Sequence, residues 1–194
     1  MKFFTTVAFS IVFYFSSLAQ ETWAIDNAHS NVRFEVGWED FSMRTGEFKV
    51  FEGTVLSESR DDLSNAKFTF TVDASSVDVI ADRLAEHIKS DRFLDVEKYP
   101  EITFSADGAE KTDEDTYVAK GKLTIHGVEK DQDVTFKVKG IKETRNSYIM
   151  GLEANLTVDR TEFGLDWGSP RLAEHITLVG HLLYQLQVEE EEKE

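Results

Sequence analysis

The sequence predicts an all-β domain, an antiparallel barrel of about eight strands accompanied by one or two short helices. Three observations predict it. Apolar and polar residues alternate with period two along most of the chain, the mark of strands with one buried face. Short turns such as Asp107-Gly108 and His126-Gly127 separate the runs. The 194 residues hold only two prolines and no Pro- or Ser-rich linker, so one domain is expected. Amphipathic strands in one domain need every apolar face covered. A closed barrel does this and removes unpaired edges; a sandwich of two sheets is the alternative.

At the N-terminus, Lys2 precedes an apolar run from Phe3 to Phe15, and Ser16-Ser17-Leu18-Ala19 follows. One positive charge, a hydrophobic stretch and small residues make a secretory signal peptide, expected over residues 1–19 with cleavage near Ala19. The run is interrupted by Thr5, Thr6 and Ser10 and is short for a membrane span. The expected destination is outside the cytoplasm, in the periplasm or the exterior of the cell.

Residues 20–188 form the expected domain. Within it, Val32, Phe34, Val36 and Trp38 share a face of the run Asn31–Trp38. Ala66, Phe68, Phe70 and Val72 alternate with polar residues, as do Ile102, Phe104 and Ala106, and then Val134, Phe136 and Val138. Tyr148, Met150, Leu152, Ala154, Leu156 and Val158 form a long row, and Ile176, Leu178, Gly180, Leu182, Tyr184 and Leu186 form another. The runs Arg44–Leu56 and Thr116–His126 are strands of weaker pattern. One segment departs from this: over Val79–Phe93, Ile80, Leu84 and Ile88 recur every fourth residue, which predicts an amphipathic helix with Asp78 as N-cap and Lys89 near its C-terminal end. Placed between two strands, it is expected to fold over one opening of the barrel. Residues 189–194, five glutamates and a lysine, read as a solvated, disordered tail.

Composition excludes much. There is no cysteine, so disulfides, thiolate metal sites and thiol nucleophiles are absent and stability must come from packing. A net charge of −16 repels phosphate backbones and anionic lipid headgroups alike, and no nucleic acid is expected as partner. No nucleophile elbow, dinucleotide fingerprint, phosphate loop or zinc-protease motif occurs. His29, His87, His126, His175 and His181 contain no pair at metal-ligand spacing, since His175 and His181 stand about 20 Å apart on one strand. Asp159-Arg160 and Asp91-Arg92 read as surface ion pairs of little consequence. Asn155-Leu156-Thr157 matches a glycosylation acceptor but falls mid-strand. The expectation is a protein that is no enzyme, with no catalytic residue, metal or cofactor.

The aromatic strand faces either fill a core or line a ligand cavity, and periodicity does not choose between them. Resemblance adds to this. The opening Trp23-Ala24-Ile25-Asp26-Asn27-Ala28-His29-Ser30, the stretch from Glu86 to Pro100 (EHIKSDRFLDVEKYP), the block from Gly121 to Val128 (GKLTIHGV) and Asp159-Arg160-Thr161-Glu162-Phe163-Gly164-Leu165 resemble, in order, the motif blocks of the YceI-like family. They extend the resemblance over about Trp23 to Leu186. It implies a lipocalin-like barrel around an apolar tunnel that binds a polyisoprenoid, either an isoprenoid quinone or a polyprenyl lipid, as carrier or sequestering protein. One departure is visible. Where many members read F-x-V-x-H, this chain reads Phe34-Glu35-Val36-Gly37-Trp38, so a histidine contact to a headgroup is not expected there and Trp38 is expected instead to narrow the opening or stack on a ring.

The residues expected to line the tunnel are Phe34, Val36, Phe68, Phe70, Phe104, Phe136, Met150, Leu152, Leu156, Ile176 and Leu178, with Trp38, Leu84 and Ile88 at its mouth. Transient contact with a membrane and a homodimer are both compatible with that role. Two other readings stand beside it. A rigid interaction module would have a solid interior, and a small enzyme would place His126 beside a carboxylate in a cleft.

Overall fold

The alternation falters three times in the first half of the chain, and at each place the backbone bends. The computed structural model describes residues 20–187, so the leader read at 1–19 and the acidic tail at 189–194 lie outside the described residues. Strands β1 (Glu21–Ile25) and β2 (Asn31–Trp38) are separated by a 3-10 turn, Asn27–His29, where the Asp26 carboxylate accepts from the Ala28 N–H at 3.0 Å. Strands β3 (Ser42–Phe48) and β4 (Phe51–Ser57) are separated by Lys49 and Val50. Strands β5 (Lys67–Asp73) and β6 (Val77–Val79) flank a second 3-10 turn, Ala74–Ser76, and Asp73 accepts from the Ser75 N–H at 2.8 Å. Side-chain oxygens thus take donors that the interrupted ladders leave free.

Pairing keeps the halves together. β1 pairs with β4 and β2 with β3, then β4 with β5 and β3 with β6, all antiparallel. The six strands are therefore three long, bent walls. Five further walls follow: β7 (Glu101–Asp107), β9 (Thr116–Ile125), β10 (Val128–Glu143), β11 (Tyr148–Asp159) and β12 (Leu172–Leu186), with the two-residue β8 (Glu110–Lys111) beside β9. Neighbours in sequence pair in turn, and β12 returns to pair with both β1 and β2. Eight antiparallel walls close a barrel, which leaves no long edge unpaired.

The differences from expectation lie at interruptions. Arg44–Leu56 is two strands, not one. The apolar run at Val134–Val138 is only the middle of β10, whose ends are held by pairing to β9 and β11 rather than by burial. The helix is shorter than predicted: α1 spans Asp82–Lys89, because Val79 is claimed by the β3–β6 ladder. Asp78 therefore lies in a strand and caps nothing; Ala81 occupies the N-cap without a side-chain bond. Ile80, counted in the helical stripe, precedes the helix and is fully exposed. Leu84 and Ile88 do face inward, and beyond α1 the chain is tied back by bonds from Leu94 N–H to Ile88 O and from Val96 N–H to Lys89 O. Among the described residues no helix is long and apolar enough to cross a membrane.

The interior has two halves. At one end Trp23, Val55, Leu63, Ala66, Tyr117, Phe136 and Met150 pack solidly, with the Phe136 ring 5.3 Å from Tyr117 and 5.2 Å from Phe68. Here β7 and β9 approach so closely that a Cβ on Gly121 would clash with the Ser105 carbonyl oxygen and the Phe104 ring. Towards α1 the second cluster, including Phe48, Val77, Leu94, Ile125 and Phe163, forms a ring of contacts around open space.

The link from β11 to β12 is organised by a residue whose role the sequence concealed. Arg160 is fully buried at the start of a 3-10 turn, Arg160–Phe163. Its guanidinium donates to the carbonyl oxygens of Ala173 (2.8 Å), Leu165, Trp167 (3.1 Å) and Leu172 (2.8 Å), and to Ser169 Oγ (3.0 Å). The reading of Asp159-Arg160 as a surface ion pair is thus corrected. Asp159 instead caps the turn, accepting from the Thr161 N–H and hydroxyl at 2.9 and 2.6 Å, which hold its carboxyl below the usual range. Asp91 and Arg92 form no ion pair among the described residues.

Candidate functional site

Strand alternation sends one side chain in two toward the barrel axis, and on the α1 side those side chains do not meet. A cavity of about 230 Å³ results, lined by β2, β3, β6, α1, β7, β9, β11, β12 and the link before β12. A second cavity of about 140 Å³ lies further in, lined by Val32, Phe68, Phe70, Phe104, Phe136, Leu152, Tyr184 and their neighbours. Ile102, Leu123, Leu156 and Leu178 line both, so the two chambers adjoin at those residues and together form the candidate channel.

Phe34, Val36, Trp38, Leu84, Ile88 and Ile176 line the outer chamber. Phe68, Phe70, Phe104, Phe136 and Leu152 line the inner one, and Leu156 and Leu178 line both. Met150 is the exception. It is wholly buried in the packed end and lines neither chamber, because its row on β11 runs past the channel into the solid core.

Apart from the tryptophan indoles, the outer chamber has three polar side chains: Arg44, Thr45 and His87. None carries a carboxylate. The Arg44 guanidinium carbon stands 4.0 Å from the Trp38 ring centroid, and the His87 ring lies 4.0 Å from the Trp167 ring, inclined at 58°. Arg44, His87 and Trp167 escaped sequence reasoning, although strand alternation places Arg44 on the same face as Phe48, two pleats away. Trp38 lines the outer chamber beside Arg44. At the inner chamber Tyr184 offers a hydroxyl whose burial pushes its pKa well above the ordinary range, so it stays neutral and can donate or accept.

Exposed apolar residues adjoin this mouth. Phe41 and Met43 sit on the turn and strand between the lining residues Trp38 and Arg44; Ile80 lies between Val79 and Leu84; Trp167 is itself part of the lining. His126, by contrast, holds a positive φ of 51° in the β9–β10 turn with its ring 4.5 Å from Tyr99, and among the described residues no carboxylate pairs with it. No group of three or more His, Asp or Glu side chains among the described residues could hold a metal ion.

Comparison with known proteins follows the same lines. A family model described as YceI-like domain matches residues 23–183. A UPF0312 protein of Serratia proteamaculans is 30% identical over 138 residues, 71% of each chain. Among solved structures, BcnA of Burkholderia cenocepacia superposes with a TM-score of 0.71 at 21% identity, over 82% of this chain and 98% of that one. A polyisoprenoid binding domain from Saccharophagus degradans does so with a TM-score of 0.68 at 15% identity, over 85% and 98%. At such identities the superpositions show a shared fold.

Proposed function

The chain belongs to the YceI-like family, and from that premise we propose that it is a lipid-binding barrel that holds a polyisoprenoid, an isoprenoid quinone or polyprenyl lipid, in its channel. It acts as carrier or sequestering protein outside the cytoplasm, after removal of the leader at 1–19, and releases the ligand unchanged. The observation that carries this reading is the channel lining, aliphatic and aromatic almost throughout. A prenyl tail offers only apolar contact, and each buried CH₂ contributes about 0.8 kcal/mol before ordering costs. The polyisoprenoid binding domain of S. degradans, which shares the barrel, supports the ligand class. A barrel serving only as a rigid module would have no use for two chambers, and among the described residues no carboxylate pairs with His126, the arrangement the enzyme reading requires.

The chain from residue 20 onward, purified without detergent, is expected to yield a stoichiometric prenyl lipid on mass spectrometry of its organic extract. An extract that stays empty after incubation with quinones and polyprenols would refute the proposal. The ligand's membrane origin gives the exposed Phe41 and Ile80 a role in transient docking at the mouth. Native protein is expected to co-sediment weakly with zwitterionic vesicles and the double variant F41S/I80S not at all; equal sedimentation of the two would remove that role.

A further inference from the structure

Arg44 on β3 and Arg160 in the link before β12 both reach into the interior, and their surroundings differ. Every part of the Arg160 guanidinium donates to an oxygen of its own chain. Arg44 has no such partners. It is half-buried, its Nε–H is shielded from solvent with no acceptor, and it joins no ion pair among the described residues. Register explains why it points inward: Arg44 pairs with Val36 as Gly46 does with Phe34 and Phe48 with Val32, so it shares their face. Opposite stands α1, where His87 falls one turn after Leu84 on the cavity side, and its Nε2 is also buried without a partner.

A guanidinium does not shed its proton, so its charge stays in the cavity. The Trp38 face offsets part of that cost but offers no lone pair to an N–H. No Asp or Glu lines either chamber. An unmade hydrogen bond to a buried charged donor is costly, and an acceptor brought by the ligand removes the cost. We propose that Arg44 and His87 form the headgroup site of the channel and that it takes an amphiphile ending in a compact anionic oxygen group, a carboxylate or a phosphate. This rests on the lipid-binding reading above. The chain's charge of −16 repels anions at long range, so the preference arises from contact inside the mouth and persists at high salt.

The test uses three probes with one tail: farnesol, farnesoic acid and farnesyl monophosphate. Each is titrated calorimetrically into the chain from residue 20 onward, delipidated on a hydrophobic resin, at low and at high salt. At least one anion is expected to bind about tenfold or more tightly than the alcohol, the scale of one charge-assisted hydrogen bond. The better of the two identifies carboxylate or phosphate as the natural end. In R44M the ratio of anion to alcohol affinity is expected to fall near one; R44K, which keeps the charge but loses the planar fork, retains part of it, as does H87F. Melting curves establish that each variant is folded. Equal affinities of the three probes for the native protein, or a ratio unchanged in folded R44M and R44K, would overturn the headgroup site and leave the lipid-binding reading standing. Failure of all three probes to bind native protein would overturn both.

Discussion

Replacing Leu178 by tryptophan is expected to abolish ligand retention without unfolding the barrel. Leu178 on β12 and Leu156 on β11 are register partners, and both line the place where the two chambers meet. Both are only partly buried because they face open space rather than packed atoms. Added bulk therefore enters the channel. In a filled core the same change would cost about 1–3 kcal/mol through overpacking; here it fills a void, and the melting temperature should hold or rise. The inner chamber is cut off, and a tail that spanned both loses its contacts there. Affinity for a prenyl probe should fall about tenfold or more, on the basis that roughly two lost CH₂ contacts suffice for that. Prenyl lipid should vanish from the organic extract while far-UV circular dichroism stays native. Retention of the lipid at native stoichiometry would mean that the ligand lies elsewhere.

Arg160→Met is expected to have the largest effect on stability. The substitution keeps an apolar stem of similar length and removes every donor. Four carbonyl oxygens and the Ser169 hydroxyl then lose their partner inside the protein. Unsatisfied buried polar groups cost about 1–3 kcal/mol each, less where water reaches them, so a loss of about 3–5 kcal/mol is expected in urea denaturation followed by circular dichroism. Arg160→Lys should recover only part, since one ammonium has three donors and cannot span five acceptors. The effect reaches the channel as well. The segment that Arg160 gathers carries Leu165, Trp167 and Leu172 to the outer chamber, so ligand affinity should decline in any R160K protein that folds. A change in stability below about 1 kcal/mol would show that water satisfies those carbonyls and that Arg160 does not organise the link.

The two arginines also show where sequence reading reaches its limit. Both stand in short polar contexts that suggest surface residues. Arg44 could have been found, because it lies on the inward face of β3 by simple alternation; the weak pattern of that strand, with Gly46 next on the same face, hid it. Arg160 could not, since its partners lie 5 to 13 residues away, along the link and the start of β12, whose path no local pattern describes. Met150 was misplaced for a related reason. Alternation reports which face of β11 is inward, but not how far along the strand the channel extends before the core closes. Ile80 fitted a helical period that began two residues too soon, because pairing of Val79 with Gly46 outweighed local helix propensity.

The sequence by itself determined the all-β class, the inward face of nearly every wall and the family, because these depend on period-two patterning and on ordered motifs, which are local properties of the chain. Tertiary structure alone decided that β12 returns to β1 and β2 to close the ring, that the far end is solid and the α1 end open, and which polar groups stand at the mouth. Those features arise from contacts between residues distant in sequence. An apolar strand face is the same in sequence whether it meets another side chain or empty space, and only the curvature of the closed sheet settles which of the two it meets.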